Sequence, residues 1–303
     1  LGSATSFVEC TLAQVYKEKD QDTGEYRGGP AYYMTRGMNA RWLAVIFGVA
    51  ITITYGFVYN AVQTNSVVEA INNSFGLEST ISKVIVGLFM AALTAVVIFG
   101  GVQRIASATQ VIVPFMAIAY LLIGIFVIAI NIGDIPDVFA LIVGHALGFK
   151  EVTGAAVGAA FMNGMRRGLF SNEAGQGTGP QSAAAAEVSH PAKQGFVQAF
   201  AVYIDTLFVC SATAFIIIST DMYKVFENES EDGPVRYAGA IPDDIAVGPG
   251  YVQHGLDTLL SGFGPTFIAI AIAFFAFTTV LAYYYMAEVN LTYFNRWIKN
   301  KAA

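Results

Sequence analysis

Long apolar runs alternate with short polar stretches over most of this 303-residue chain. A membrane-spanning helix needs about 20 mostly apolar residues. Seven stretches approach that requirement: 1–15, which is partial, 42–71, 80–100, 108–131, 153–165 continuing irregularly toward 186, 195–219 and 261–290. Pro136 to Phe149 is apolar but short, and predicts an interfacial or re-entrant helix rather than a span. Asp221 to Gln253 interrupts the pattern. It is rich in Gly, Pro and acid, with Glu227, Glu229, Glu231, Asp232, Asp243 and Asp244, and predicts a solvated loop with no core of its own.

Composition sharpens this picture. The chain is 55% hydrophobic and 13% charged, against about 25% charged residues in a soluble domain. Too little polar surface remains for a water-soluble protein. The pattern predicts an all-α, polytopic helical membrane protein, with 1–303 as a single transmembrane domain. Cytoplasmic loops carry an excess of Lys and Arg. If the segment after the first helix is cytoplasmic and the chain then alternates, twelve basic residues fall inside and four outside. The four are Lys83, Lys150, Lys224 and Arg236, which places 221–253 on the extracellular side. Leu1 opens within an apolar helix with no flanking charge, so a fragment, or the loss of a preceding helix, is expected.

Other chemistry is thin. No basic block suits nucleic acid, and the net charge is −6. Cys10 and Cys210 stand apart in apolar stretches, and His145, His190 and His254 have no metal-ligand spacing. Gly175 to Gly179 alternates glycine as a nucleotide loop does, but it lacks the Lys, follows no strand and runs into Pro180. No organic cofactor is expected.

The informative stretch is Arg166 to Pro180, polar and glycine-rich between apolar flanks. Irregular backbone at membrane depth is tolerated only where protein or a water-filled cavity surrounds it. Upstream, Gly154, Gly158, Gly164 and Gly168 form two small-xxx-small pairs, which let helices approach closely. Asn60, Gln63, Thr64 and Asn65 place polar groups in the 42–71 segment, and Phe57, Asn60 and Thr64 at i, i+3 and i+7 share one α-helical face. They suit either a pocket for a small amino acid or hydrogen bonds between helices. Thr278 and Thr279 lie in the last span, where Thr commonly bonds its own i−4 carbonyl. Asp205 lies about 18 Å past Lys193 at 1.5 Å per residue, near the midplane. Proton relay, ion ligand and structural acceptor, networked with Thr206, Ser211 and Thr213, are its open roles.

Arg167 to Pro180, RGLFSNEAGQGTGP, resembles the signature of the alanine or glycine:cation symporters of the amino acid-polyamine-organocation superfamily. Phe7 to Ala13, Gly28 to Met34, Val62 to Ser66, His190 to Gly195, Ile204 to Thr206 and Phe275 to Thr279 resemble further motifs of that family in the same order. The resemblance implies a LeuT-type inverted-repeat fold, of which this chain resembles helices 2 to 8. It implies symport of alanine or glycine with sodium as coupling ion, in the plasma membrane. It implies a substrate pocket from Phe57, Asn60, Gln63, Thr64, Gly158, Phe161, Asn163 and Tyr283, and a sodium site at Thr278 and Thr279. Arg167, Asn172, Glu173 and Asp205 would form gate or structural signature positions, with Glu173 pairing Arg166 or Arg167. One departure is Ala282-Tyr283, where the family usually has Gly-Trp. A channel or amino-acid sensor on the same scaffold is the alternative. An intramembrane enzyme would need a catalytic pair at depth, and Asp205 has no second mid-membrane acid.

Overall fold

The computed structural model describes residues 1–20, 23–77, 79–147, 154–226 and 233–302. In chain order these form α1 (Gly2–Val15), β1 (Glu18–Lys19), β2 (Tyr26–Arg27), α2 (Pro30–Arg36), α3 (Arg41–Ile53), a π-helical turn (Thr54–Val58) and α4 (Tyr59–Phe75). Then follow α5 (Thr80–Ile98), α6 (Gly101–Ile130), α7 (Ile135–Ala146), α8 (Gly154–Asn172) and α9 (Gly179–Ala185). The chain continues with α10 (Pro191–Ile204), a second π-helical turn (Asp205–Cys210), α11 (Ser211–Ser219), β3 (Lys224–Phe226), β4 (Val235–Ala238), α12 (Pro249–Leu259) and α13 (Gly264–Ala302).

The protein is mostly helical, and five of its helical segments are long and apolar enough to cross a membrane: Arg41–Phe75, Thr80–Ile98, Gln103–Ile130, Pro191–Ser219 and Gly264–Arg296. Their apolar side chains largely face outward; in α5 only Met90 is buried. Two of the seven expected segments are not among these five. α1, expected as a partial span, has 14 residues. With 19 residues α8 is long enough, but Asn163, Arg166 and Arg167 dilute its apolar character. The all-α expectation is also modified by two short antiparallel hairpins, β1 with β2 and β3 with β4.

The chain divides into two compact units. The first comprises 1–60, 161–208 and 282–303. Its frame is α1 against α10. A Cβ on Gly195 would lie about 2.3 Å from Thr11 Oγ1, so only glycine permits this approach. Phe7 and Phe196 stack beside it at 4.8 Å. The last carbonyls of α9 are satisfied from outside the helix: Ala183 and Ala186 accept from Gln14 Nε2, and Ala186 also from Lys17 Nζ. The β1–β2 hairpin is tied to α13 by buried charge. Arg27, 3% exposed, donates to Glu288 Oε1 at 2.9 Å, and its Nε lies 3.3 Å from Asp20 Oδ2. Arg296 bonds Asp20 at 2.9 Å and Glu18 at 3.1 Å. Burial disfavours the Arg27 cation, but Glu288 and Asp20 outweigh it and hold the guanidinium above its ordinary range.

The second unit comprises 61–160 and 209–281. Tyr120, Val127, Phe215, Ile216, Val252, Leu256 and Ile268 pack its main core. The Tyr120 and Thr213 hydroxyls meet at 2.5 Å within it. The expectation of an entirely solvated 221–253 segment is corrected at its end: from Pro249 the chain is helical, and Tyr251, Val252 and Gln253 are buried. Gln253 explains why. Its Nε2 donates to Ala70 O at 2.8 Å, Ser74 Oγ at 2.9 Å and Pro265 O at 3.2 Å, and its Oε1 accepts from Asn73. A buried amide with every group paired fixes α12 against α4 and the start of α13.

Candidate transport site

Two features of the first unit converge on one place. The first is the π turn Thr54–Val58. A π turn bonds i to i+5 and appears mostly as single-turn bulges at functional sites. It also rotates the helix differently from α. Phe57 is therefore 72% exposed, and does not share a face with Asn60 as α spacing predicts. Asn60 Nδ2 donates to the carbonyls of Tyr55 at 2.9 Å and Gly56 at 3.2 Å. Its Oδ1 is buried and has no hydrogen-bond partner.

The second feature is the turn between α8 and α9, which carries the signature residues. Glu173 adopts φ 56, Gly175 φ 93 and Gly177 φ 77. At Gly177 a side chain would also strike Pro30 and Phe47. Gln176 Nε2 donates to Leu169 O at 2.7 Å, and its Oε1 accepts from Tyr55 Oη at 2.5 Å. Tyr55, 2% exposed, packs edge-on against Tyr283 at 4.8 Å and beside Tyr59 at 4.7 Å. Tyr59 in turn meets Phe170 at 5.5 Å. An aromatic cluster thus joins the π turn, the signature turn and α13.

The signature residues form their own network. Glu173 Oε2 accepts from Thr178 Oγ1 at 2.8 Å, and the expected pairing with Arg166 or Arg167 is not formed; both arginines are exposed. The reason is geometric: the arginines precede Glu173 on the open face of α8, while φ 56 turns the Glu173 carboxylate toward α9. Asn172 donates to Thr206 Oγ1 at 3.4 Å and accepts from Ala174 N at 3.1 Å. Asp205 accepts from Ser171 Oγ at 2.6 Å. Thr213, expected to share a network with Asp205, instead bonds Tyr120 and Val209 O. Glu9, Glu173 and Asp205, with Ser6, Asn172 and Gln198, line a small polar cavity of about 150 Å³.

The remaining expected residues are spread over both units. Tyr283, 3% exposed, lies in the aromatic cluster of the first unit. Phe161 there is 62% exposed, and Asn163 is half-buried. In the second unit Gln63 and Thr64 are half-buried on α4. Among the described residues nothing lies within 4 Å of where Cβ atoms on Gly158, Gly164 and Gly168 would be, so the expected close helix approach is not found there, and the surroundings of Gly154 lie outside the described residues. Thr278 donates to the carbonyls of Phe274 at 3.2 Å and Phe275 at 2.9 Å, and Thr279 donates to Phe275 O at 2.8 Å. Each hydroxyl spends its proton on the backbone and keeps lone pairs for a cation. Tyr55, Tyr59 and Gln176 were not among the expected residues. Tyrosines at i and i+4 inside an apolar span were the available signal.

The sequence as a whole decides the family. The sodium:alanine symporter family model matches residues 1–302. The chain belongs to the sodium:alanine symporter family. It is 50% identical over 303 residues to YrbD of Bacillus subtilis (strain 168), a candidate sodium/proton-dependent alanine carrier, covering 100% of this chain and 60% of that protein. It is 43% identical over 306 residues to a sodium/proton-dependent alanine carrier protein of Bacillus sp. (strain PS3), covering 100% of this chain and 66% of that one. It is 36% identical over 296 residues to the sodium/alanine symporter AgcS of Methanococcus maripaludis, covering 96% and 61%. This member of the sodium:alanine symporter family spans about three fifths of the length of the first of these relatives. The family is one of transporters, and five apolar helices make this chain a multi-pass membrane protein.

Proposed function

We propose that this chain forms much of a plasma-membrane symporter that carries alanine or glycine by alternating access, with sodium as coupling ion. On this reading residues 1–303 belong to one transporter domain of LeuT type, corresponding to helices 2 to 8, with 221–253 extracellular. Family membership supports the class of cargo, and three relatives carry sodium and alanine in their names.

The observation that carries the substrate assignment is Asn60 Oδ1, a buried acceptor with no donor. A buried unsatisfied polar group costs about 1–3 kcal/mol. The ammonium of an amino acid supplies three N–H donors and would relieve that cost. The neighbouring tyrosine faces add attraction for a cation. Thr278 and Thr279 suit sodium, since a hard cation prefers oxygen ligands.

Alanine uptake into proteoliposomes holding the complete carrier tests the reading. Uptake that rises only with an inward sodium gradient supports it. Uptake independent of sodium and proton gradients, with no counterflow, points to a channel instead. Binding of alanine without any flux points to a sensor.

A further inference from the structure

A large cavity in the second unit lies away from every residue discussed as a transport position. It has a volume of about 1020 Å³ and opens between α7, the end of α11 and the β3–β4 hairpin. Its chemistry is divided. Val138, Leu141, Ile142 and Ile218 form an apolar wall. Asp134, Asp137 and Asp221 line it with Arg236, His145, Tyr223 and Tyr237.

Three observations restrict what this cavity holds. The first is depth. α7 has 12 residues, about 18 Å at 1.5 Å per residue, and cannot cross the hydrocarbon core. It follows the apolar helix α6 directly, so it lies where the chain leaves the membrane. The cavity brings α7 and the hairpin together. Tyr223 and Tyr237, with ring centroids 5.2 Å apart, are the side-chain type enriched at headgroup level.

The second is size. Pockets for drug-sized ligands hold roughly 300–1,000 Å³. A small amino acid would leave most of this cavity empty, whereas a lipid headgroup with the first part of a chain would fill it.

The third is charge. Three carboxylates face one guanidinium. Acids in the first turn of a helix are favoured by its dipole, which accounts for Asp137 by itself but not for Asp221 and Arg236 at the same opening. Among the described residues the side chains of Asp134 and Asp137 make no hydrogen bond or ion pair, so both carboxylates are open to a ligand. Asp221 is held in place: its backbone takes φ 58, its carbonyl accepts from Ala240 N at 2.8 Å, and its carboxylate accepts from Tyr237 Oη at 2.6 Å.

We propose that this cavity binds one phospholipid with a primary ammonium headgroup, a phosphatidylethanolamine. Its ammonium lies at Asp134 and Asp137, its phosphate at Arg236 and its proximal acyl carbons on the Val138, Leu141 and Ile218 wall. A phosphatidylcholine ammonium has no N–H to donate, and a phosphatidylglycerol brings only negative charge to an acidic opening. Retention therefore falls in that order.

Native mass spectrometry of the complete carrier, released from equal mixtures of the three lipids, reads this without measuring transport. The wild type should retain phosphatidylethanolamine about two- to thirtyfold over phosphatidylglycerol, the range two exposed carboxylate–ammonium contacts give. Asp134→Asn with Asp137→Asn should bring the ratio to parity. Equal retention in the wild type, a preference for phosphatidylglycerol, or an undiminished preference in the double variant overturns the proposal. A phosphatidylethanolamine with a photoreactive headgroup gives a second reading on unaltered protein. Labelling of peptides covering 134–145 and 218–237 supports the site, and labelling confined to other peptides overturns it.

Discussion

The hydroxyl of Tyr55 donates to Gln176 Oε1 at 2.5 Å across 121 positions of sequence, joining the π turn to the signature turn. Both partners are otherwise committed. Tyr55 is packed against Tyr59 and Tyr283, and Gln176 holds the Leu169 carbonyl. Tyr55→Phe keeps the packing and leaves Gln176 Oε1 without its donor, a cost of about 1–3 kcal/mol where the group is buried. The variant should melt lower and transport with reduced maximal rate. An unchanged melting temperature and rate would show that the two turns do not depend on each other.

Asn60 has two separable jobs. Its Nδ2 ties the carbonyls of the π turn, and its Oδ1, buried without a partner, is the acceptor proposed for substrate. Asn60→Asp keeps an oxygen acceptor and loses the donor, whereas Asn60→Ala loses both. Apparent alanine affinity should fall about tenfold to a hundredfold in Asn60→Ala, the equivalent of one buried hydrogen bond to a charged group. Equal affinity in wild type and Asn60→Ala would remove Asn60 from the substrate site.

Thr279→Ala removes an oxygen while its neighbour Thr278 keeps its own bonds to Phe274 and Phe275. The sodium concentration for half-maximal uptake should rise several-fold, and Thr279→Ser should restore it. A sodium curve identical in all three proteins would place the ion elsewhere.

Arg27 tests the buried charge network. Removing one partner of a buried pair leaves the others uncompensated, at about 3–5 kcal/mol. Arg27→Gln should therefore lower the melting temperature strongly, because Glu288 loses its counter-charge and Asp20 loses Arg27 while keeping Arg296. Arg27→Gln combined with Glu288→Gln should recover part of the loss. Additive loss in the double variant would deny the coupling.

The contact between Lys224 and Asp243 carries a pH prediction. A hydrogen bond from Lys224 Nζ at 2.8 Å, with its positive charge, holds the Asp243 carboxyl below its ordinary range. The contact therefore contributes at pH values above the unfolded carboxylate pKa and is lost as pH falls through the depressed folded value. Carbon-13 NMR titration should place the Asp243 midpoint below that of a model peptide, and Lys224→Gln should return it to the ordinary value. Identical midpoints with and without Lys224 would contradict the contact.

Local chemistry made much of this protein legible. Apolar runs at 80–100, 195–219 and 261–290 marked the helices found at Thr80–Ile98, Pro191–Ser219 and Gly264–Arg296, because a helix that crosses lipid needs about 20 mostly apolar residues. The short α7 was legible for the same reason. The signature motif and its collinear companions gave the family. Asn60 and Tyr283 were singled out from sequence, but the π turn and aromatic cluster around them were not.

The sequence by itself determined a helical membrane protein, its family and the residues bearing polar chemistry in apolar surroundings. Those properties follow from composition and order alone. Tertiary structure decided the rest. The π turn broke the expected face of Phe57, Asn60 and Thr64, because one extra residue per turn rotates everything after it. Glu173 chose Thr178 over the arginines because a left-handed backbone redirected its side chain. Gln253 drew the end of a polar loop into the core by finding donors and acceptors on α4 and α13. Such contacts depend on direction and on partners far away in sequence, and periodicity carries neither.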